Sequence, residues 1–168
     1  MKRVLITGMS GTGKSATIRE LAARGHAAYD LDTPEWSHWI EAAPGDTLTP
    51  GDGKDWVWQL DKVRVLLSRP RDEALFISGC AENMDELFPL IDTIVLLSVP
   101  IDTVMQRVSA RAPGGYGHVD EERRRIGELI AMIEPLLRES ADHEIDSSAP
   151  VEKTVDQILQ LVWRHPSP

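Results

Sequence analysis

The chain has 168 residues, 42% of them hydrophobic and 27% charged, and a formal net charge of −9. That length suits one domain, residues 1–168, able to bury about two-thirds of its unfolded surface. The acidic balance excludes a general nucleic-acid-binding surface, which needs Lys and Arg against phosphates, and argues against an anionic membrane face.

The start Met1-Lys2-Arg3 is basic, but only Val4 to Ile6 are apolar before Thr7-Gly8, too short a run for a signal peptide. No stretch is long enough to span a bilayer. The one cysteine, Cys80, excludes an internal disulfide, and a cytoplasmic chain is expected. Val4-Leu5-Ile6-Thr7 predicts a short buried strand, and Ala16 to Ala23 predicts a helix. Between them, Gly8-Met9-Ser10-Gly11-Thr12-Gly13-Lys14-Ser15 fits the Walker A pattern GxxxxGK[ST] at every fixed position.

In that setting the loop's N–H groups turn inward on a phosphate chain, and the helix N-terminus adds partial positive charge. Gly8, Ser10, Gly11, Thr12, Gly13, Lys14, Ser15 and Ala16 are therefore candidate nucleotide-binding residues. Lys14 reaches the β- and γ-phosphates, and the Ser15 hydroxyl takes a place on Mg²⁺. ATP and Mg²⁺ are the expected cofactors.

His26 to Tyr29 predicts a second strand ending at Asp30, with Gly25 as the preceding helix cap. Asp30 and Asp32 then stand beside the phosphate loop, where one carboxylate can take a hydroxyl proton and the other can hold Mg²⁺ or a second hydroxyl. Asp32 is also a candidate N-cap for a helix starting at Pro34, on which Trp36 and Trp39 share a face. Residues 43 to 55, rich in Pro, Gly and Asp, predict a loop. Trp56 and Trp58 follow it, and the tryptophans of this region suit either core or the wall of a substrate pocket.

Val57, Leu60, Val63 and Leu67 recur at helical spacing. Ala74 to Ser78 predicts the third strand, ending in the small residues Gly79 and Cys80, which leave room for a substrate; Cys80 reads as packing rather than nucleophile. Thr93 to Val99 predicts the fourth strand, apolar throughout, as a strand covered on both faces should be. Arg107 and Arg111 lie four apart on the next helix, before a Gly-rich segment at 112–118 that suits a lid closing on the transferred phosphoryl group. Arg123-Arg124-Arg125 reads as a solvated or ion-paired face. Ile126, Leu129, Ile130, Ile133 and Leu137 mark a long helix, His143 to Asp146 a weak fifth strand, and Val151 to Val162 a last helix. The five histidines show no metal-ligand spacing, so zinc is not expected. Strands alternating with helices give an α/β fold with a largely parallel sheet, its site at the strands' carboxyl ends.

Taken together, the loop Gly8 to Ser15, Asp30-Leu31-Asp32, Ser78-Gly79-Cys80, Arg107 to Arg111 and Glu144-Ile145-Asp146-Ser147 resemble the small P-loop kinases of the nucleoside monophosphate kinase-like group. That group includes shikimate kinase, gluconate kinase and adenylate kinase. The resemblance covers almost the whole chain. It implies a three-layer P-loop NTPase fold with a five-stranded parallel sheet in order 2-3-1-4-5, helices on both faces and a short lid.

It also implies that Arg107 stacks on adenine, that Arg111 touches phosphates, and that Ser147, Ala149 and Pro150 cradle the base. Lys14, Asp30, Arg107 and Arg111 are then expected in catalysis, and Ser15 and Asp30 at Mg²⁺. Asp32, Trp56, Gly79 and Cys80 are expected at the acceptor, within about 30–60 and the third strand's end. The chain departs from shikimate kinases in keeping only Gly79 of their glycine run and in lacking an arginine set for the shikimate carboxylate. The expected activity is transfer of the γ-phosphoryl group of ATP to a small-molecule hydroxyl or phosphate, by a monomer or homodimer. The alternatives are a nucleoside monophosphate kinase and, from another class, a nucleotide-dependent switch or ATPase acting through a protein partner.

Overall fold

Alternate residues of the first strand serve two different cores, and this sorting organises the molecule. In the computed structural model, which describes residues 2–43, 53–111 and 119–164, β1 (Arg3–Thr7) lies at the centre of a five-stranded parallel sheet. Its neighbours are β5 (Leu75–Ser78), with Leu5 opposite Ile77, and β6 (Thr93–Ser98), with Leu5 opposite Ile94. β2 (Ala27–Asp30) adds to β5 and β7 (His143–Asp146) to β6, so the order is β2-β5-β1-β6-β7. Counted within this sheet alone, that is the expected 2-3-1-4-5.

Val4 and Ile6 point to one face, where they meet Ile18 and Leu21 of α1 (Lys14–Ala23) and Val155, Ile158 and Val162 of α5 (Val151–Arg164). Leu5 points to the other face, packed with Val63, Leu66 and Leu67 of α2 (Leu60–Ser68) and Leu137 of α4 (Asp120–Ser140). Period-2 alternation with both faces apolar is what a doubly covered parallel strand requires. A smaller cluster of Val99, Val104, Val108 and Ile126 seats α3 (Ile101–Ser109) against α4.

The segment after Asp32 differs from the expected helix at Pro34. Trp36 and Ser37 close a turn onto the Thr33 carbonyl, and the chain then runs as β3 (Ser37–Glu41), antiparallel to β4 (Lys54–Trp58). Trp39 stands opposite Trp56, their rings 5.0 Å apart and edge to face. A cross-strand aromatic pair and a ladder of main-chain bonds outweigh the i,i+3 spacing of Trp36 and Trp39. Asp32 therefore caps no helix. Val57 belongs to β4, ahead of α2, and the expected loop at 43–55 gives way to strand from Lys54. The rest of that loop, 44–52, and the lid segment 112–118 lie outside the described residues.

Among the described residues, no helix is long and apolar enough to cross a membrane.

Candidate active site

Every strand of the main sheet ends on the same side, so the loops there converge. β1 runs into the glycine-rich loop, and Gly8 has φ +153°; a Cβ there would lie 2.5 Å from the Leu97 carbonyl oxygen of β6. Only glycine lets the loop leave the sheet this close to its neighbour. Thr12 Oγ1 donates to the Met9 carbonyl at 2.8 Å, and Lys14 Nζ donates to the Gly8 and Met9 carbonyls at 2.6 and 3.1 Å. The lysine is thereby held along the loop's inner rim.

Arg107, in the last turn of α3, ties two loops together. Its Nη1 donates to the Gly11 carbonyl at 3.2 Å and its Nη2 to the Ser147 carbonyl at 2.7 Å, while Ser147 Oγ donates to the Thr12 carbonyl at 2.6 Å. Gly13, Ala16, Arg107, Ser147, Ala149 and Thr154 are among the residues enclosing a pocket of about 200 Å³ between them. Pro150 is not in that lining; its carbonyl accepts the first turn of α5 from the N–H groups of Lys153 and Thr154. Arg111 lies beyond the end of α3, where Ala110 and Arg111 close a final turn, and its Nη2 donates to Ser10 Oγ at 3.1 Å. Arg107 and Arg111 thus approach the loop from different places rather than from one helix face.

The two aspartates are divided by their partners. Ser15 Oγ donates to Asp30 Oδ2 at 2.6 Å, and the Asp32 N–H donates to Asp30 Oδ1 at 3.1 Å. A serine hydroxyl and a carboxylate beside a phosphate loop are the hard oxygen donors that suit Mg²⁺, so these residues fit the ion. Asp32 faces inward. Its Oδ1 accepts from Trp58 Nε1 at 3.0 Å, and the Cys80 N–H reaches Oδ2 at 3.1 Å.

Burial pushes the Asp32 carboxyl above the ordinary aspartate range; Lys14, Trp58 and Cys80 pull it back and Asp30 adds a smaller push upward. Burial likewise pushes the Cys80 thiol up, which suits a packing residue rather than a nucleophile.

Gly79 makes this arrangement fit. It has φ +150°, and a Cβ there would lie 2.6 Å from Asp32 Oδ1 and 2.8 Å from Trp58 Cζ2. Trp58 itself is fully buried and fixed at both main-chain groups by Asn83: its N–H donates to Asn83 Oδ1 at 3.1 Å and its carbonyl accepts from Asn83 Nδ2 at 3.0 Å. Trp56 and Cys80 line a second cavity of about 480 Å³, between β4, the end of β5, the 3₁₀ helix Met84–Leu90 and α4.

The expected residues therefore gather into three groups: one around Lys14, Ser15 and Asp30, a second around Arg107 and Ser147, and a third side around Asp32. Trp58 and Asn83 complete the third side without a motif to announce them. No spacing rule links Asp32 to an indole 26 residues on, and Asn83 looks like any turn residue. Arg123, Arg124 and Arg125 pair with Asp120, Glu121 and Glu128 along α4, an ion-paired face. Among the described residues, no group of three or more His, Cys, Asp and Glu could hold a metal ion.

No family model matches the chain. Over 168 aligned residues it is 25% identical to shikimate kinase of Caldanaerobacter subterraneus subsp. tengcongensis, covering 98% of this chain and 95% of that one. It is also 25% identical to the thermoresistant gluconokinase of Escherichia coli, over 94% of this chain and 91% of the other. Among solved structures, shikimate kinase from Acinetobacter baumannii in complex with shikimate superposes with a TM-score of 0.64 at 22% identity, over 98% of this chain and 94% of that one. With this sheet order, this loop and relatives aligned along nearly its whole length, the chain is a small-molecule kinase with the fold of the small P-loop kinases, and it resembles the nucleoside monophosphate kinase-like group.

Proposed function

We propose that the chain transfers the γ-phosphoryl group of Mg·ATP to a hydroxyl of a small molecule held beside Asp32. One observation carries this reading: Asp32 is half-buried, oriented by Trp58 Nε1 and the Cys80 N–H, and lies within the field of Lys14. A carboxylate fixed in that way is built to accept a proton from a hydroxyl brought to it. The acceptor oxygen bonds to the γ-phosphorus as the bond to the ADP oxygen breaks, and the hydroxyl proton passes to Asp32 and on to solvent.

Catalysis of this kind is mainly positioning and charge stabilisation. Lys14, released from the Gly8 and Met9 carbonyls, is placed to meet the phosphate chain, with Arg111 beside Ser10. Arg107, Ser147 and Ala149 would hold the base in the 200 Å³ pocket. Ser15 and Asp30 would hold Mg²⁺, which when bound neutralises charge on the phosphates. Asp30 thus serves the metal and Asp32 the acceptor proton. The whole described chain works as one catalytic unit.

ADP release with Mg·ATP, measured across sugars, hydroxy acids, amino alcohols, nucleosides and nucleoside monophosphates, tests the reading. One acceptor class should raise turnover strongly, and Lys14→Ala should abolish the rise. Turnover that ignores every acceptor while ATP still binds would overturn it.

A further inference from the structure

Ser78 closes β5 and is fully buried, yet its hydroxyl has no hydrogen-bond partner. Among the described residues only Arg71 Nε shares that condition. The main chain around Ser78 is fixed: its carbonyl accepts from the Leu31 N–H at 2.8 Å, and the Gly79 N–H donates to the Ile6 carbonyl at 3.1 Å. A serine hydroxyl offers one donor and two lone pairs, and burying them unused carries a cost that alanine would not. An orphaned group of this kind marks a place where a water or an ion completes the structure.

The strand register identifies its surroundings. Phe76, two residues earlier and on the same strand face, packs with Ile18 and Leu21 of α1, so Ser78 faces the helix layer at the end where α1 begins. Its register partners are Ile6 on β1 and Asp30 on β2. Asp30 is the carboxylate that Ser15 Oγ meets at 2.6 Å. The orphaned hydroxyl therefore shares a sheet face with the carboxylate of the pair that suits Mg²⁺, one strand further in. Mg²⁺ demands octahedral oxygen geometry and usually keeps several of its waters. A buried hydroxyl with free lone pairs is suited to orient one of them.

We propose that Ser78 is a positioning residue for Mg²⁺: its Oγ accepts a hydrogen bond from a water in the ion's hydration shell, while Ser15 and Asp30 hold the ion from the other side. The inference rests on the Mg·ATP site proposed above, and it gives that site a third group which no sequence motif announces.

Calorimetric binding of a non-hydrolysable ATP analogue to the full chain tests it, for the wild type and Ser78→Ala, with Mg²⁺ and with EDTA. The ligand-free Tm of Ser78→Ala should equal or exceed that of the wild type, because an unpartnered buried hydroxyl is removed. Its Kd in Mg²⁺ should rise about three- to tenfold, the worth of one hydrogen bond, while its Kd in EDTA stays at the wild-type value. With Mn²⁺ as the probe ion, the electron paramagnetic resonance spectrum of the bound metal reports its oxygen shell and should differ between the two proteins. An unchanged Kd in Mg²⁺, equal weakening with and without the ion, identical Mn²⁺ spectra, or a clear fall in ligand-free Tm would each overturn the inference. Those results leave the kinase reading standing as long as the wild type binds the analogue more tightly with Mg²⁺. A wild type whose binding ignores Mg²⁺ sinks the ion site itself.

Discussion

At the scale of single residues, Asp32 carries the most consequence, because burial and function act on it in opposite directions. Its carboxyl sits above the ordinary range, with burial the largest cause, so the folded chain holds the Asp32 proton more tightly than the unfolded chain does. As pH rises above about 4, the usual aspartate value, the unfolded carboxyl ionises first, and Asp32 lowers stability over that window. Asp32→Asn has no such titration. Its melting temperature minus that of the wild type should become more positive as pH climbs through the window, while its turnover falls by about 10²–10⁴-fold, the usual contribution of a proton-accepting group. A stability difference independent of pH would show that Asp32 titrates normally. Trp58→Phe addresses the same carboxylate from outside. The indole N–H favours the charged form, so its removal raises the carboxyl further and should move the acidic limb of kcat/KM to higher pH. An unmoved limb would assign that limb to another group.

At the scale of elements, the β3–β4 hairpin holds Trp58 in place, and Asn83, just ahead of the 3₁₀ helix Met84–Leu90, fastens the hairpin to the segment after β5 through the Trp58 main chain. Asn83→Ala removes both bonds and should cost about 1–3 kcal/mol, because two part-buried main-chain groups lose their partners. Acceptor KM should rise more than ATP KM, since the side proposed for ATP rests on Arg107 and Ser147 instead; denaturant melts and steady-state kinetics read both. Equal effects on the two substrates would mean that the hairpin supports the molecule generally. This is also where sequence and structure part. β1, β5 and β6 are legible as apolar runs because burial on both faces leaves a local signature, and the phosphate loop is legible because its glycines and Lys14 are contiguous. The hairpin depends on partners far apart in sequence: Trp39 finds Trp56 only once the chain folds back, so its spacing passes for a helix. The cavity of about 480 Å³ between β4 and α4 is illegible for the same reason. It joins Trp56 to Cys80, Met84 and Ile133, which no local pattern connects.

At the scale of the whole molecule, the surface ion pairs contribute little to the fold. Arg138 with Glu134 and Glu144, and Arg64 with Asp61 and Glu86, are exposed pairs of the kind worth about 0–1 kcal/mol each. What joins distant parts of the chain at the site is the Arg107 guanidinium, bridging the loop after β1 and the turn after β7, with Ser147 Oγ closing the circuit onto Thr12. A nucleotide in the pocket between them would contact both segments at once, and neither holds it once unfolded. Ligand that binds only the folded chain stabilises it by about 2.7 kcal/mol at a hundred times its Kd. For a chain of this size each kcal/mol moves Tm by about 2–4 °C, so saturating Mg·ATP should raise Tm by roughly 5–11 °C. Lys14→Ala should lose most of that shift, because the phosphates account for much of the charge to be met, and the pocket proposed for the base would hold it weakly alone. Arg107→Ala should lose part of it and lower the ligand-free Tm as well, since it also opens the bridge between the two loops. The three proteins scanned with and without Mg·ATP separate these roles. Equal shifts in the wild type and Lys14→Ala would mean that ATP binds somewhere other than the loop Gly8 to Ser15.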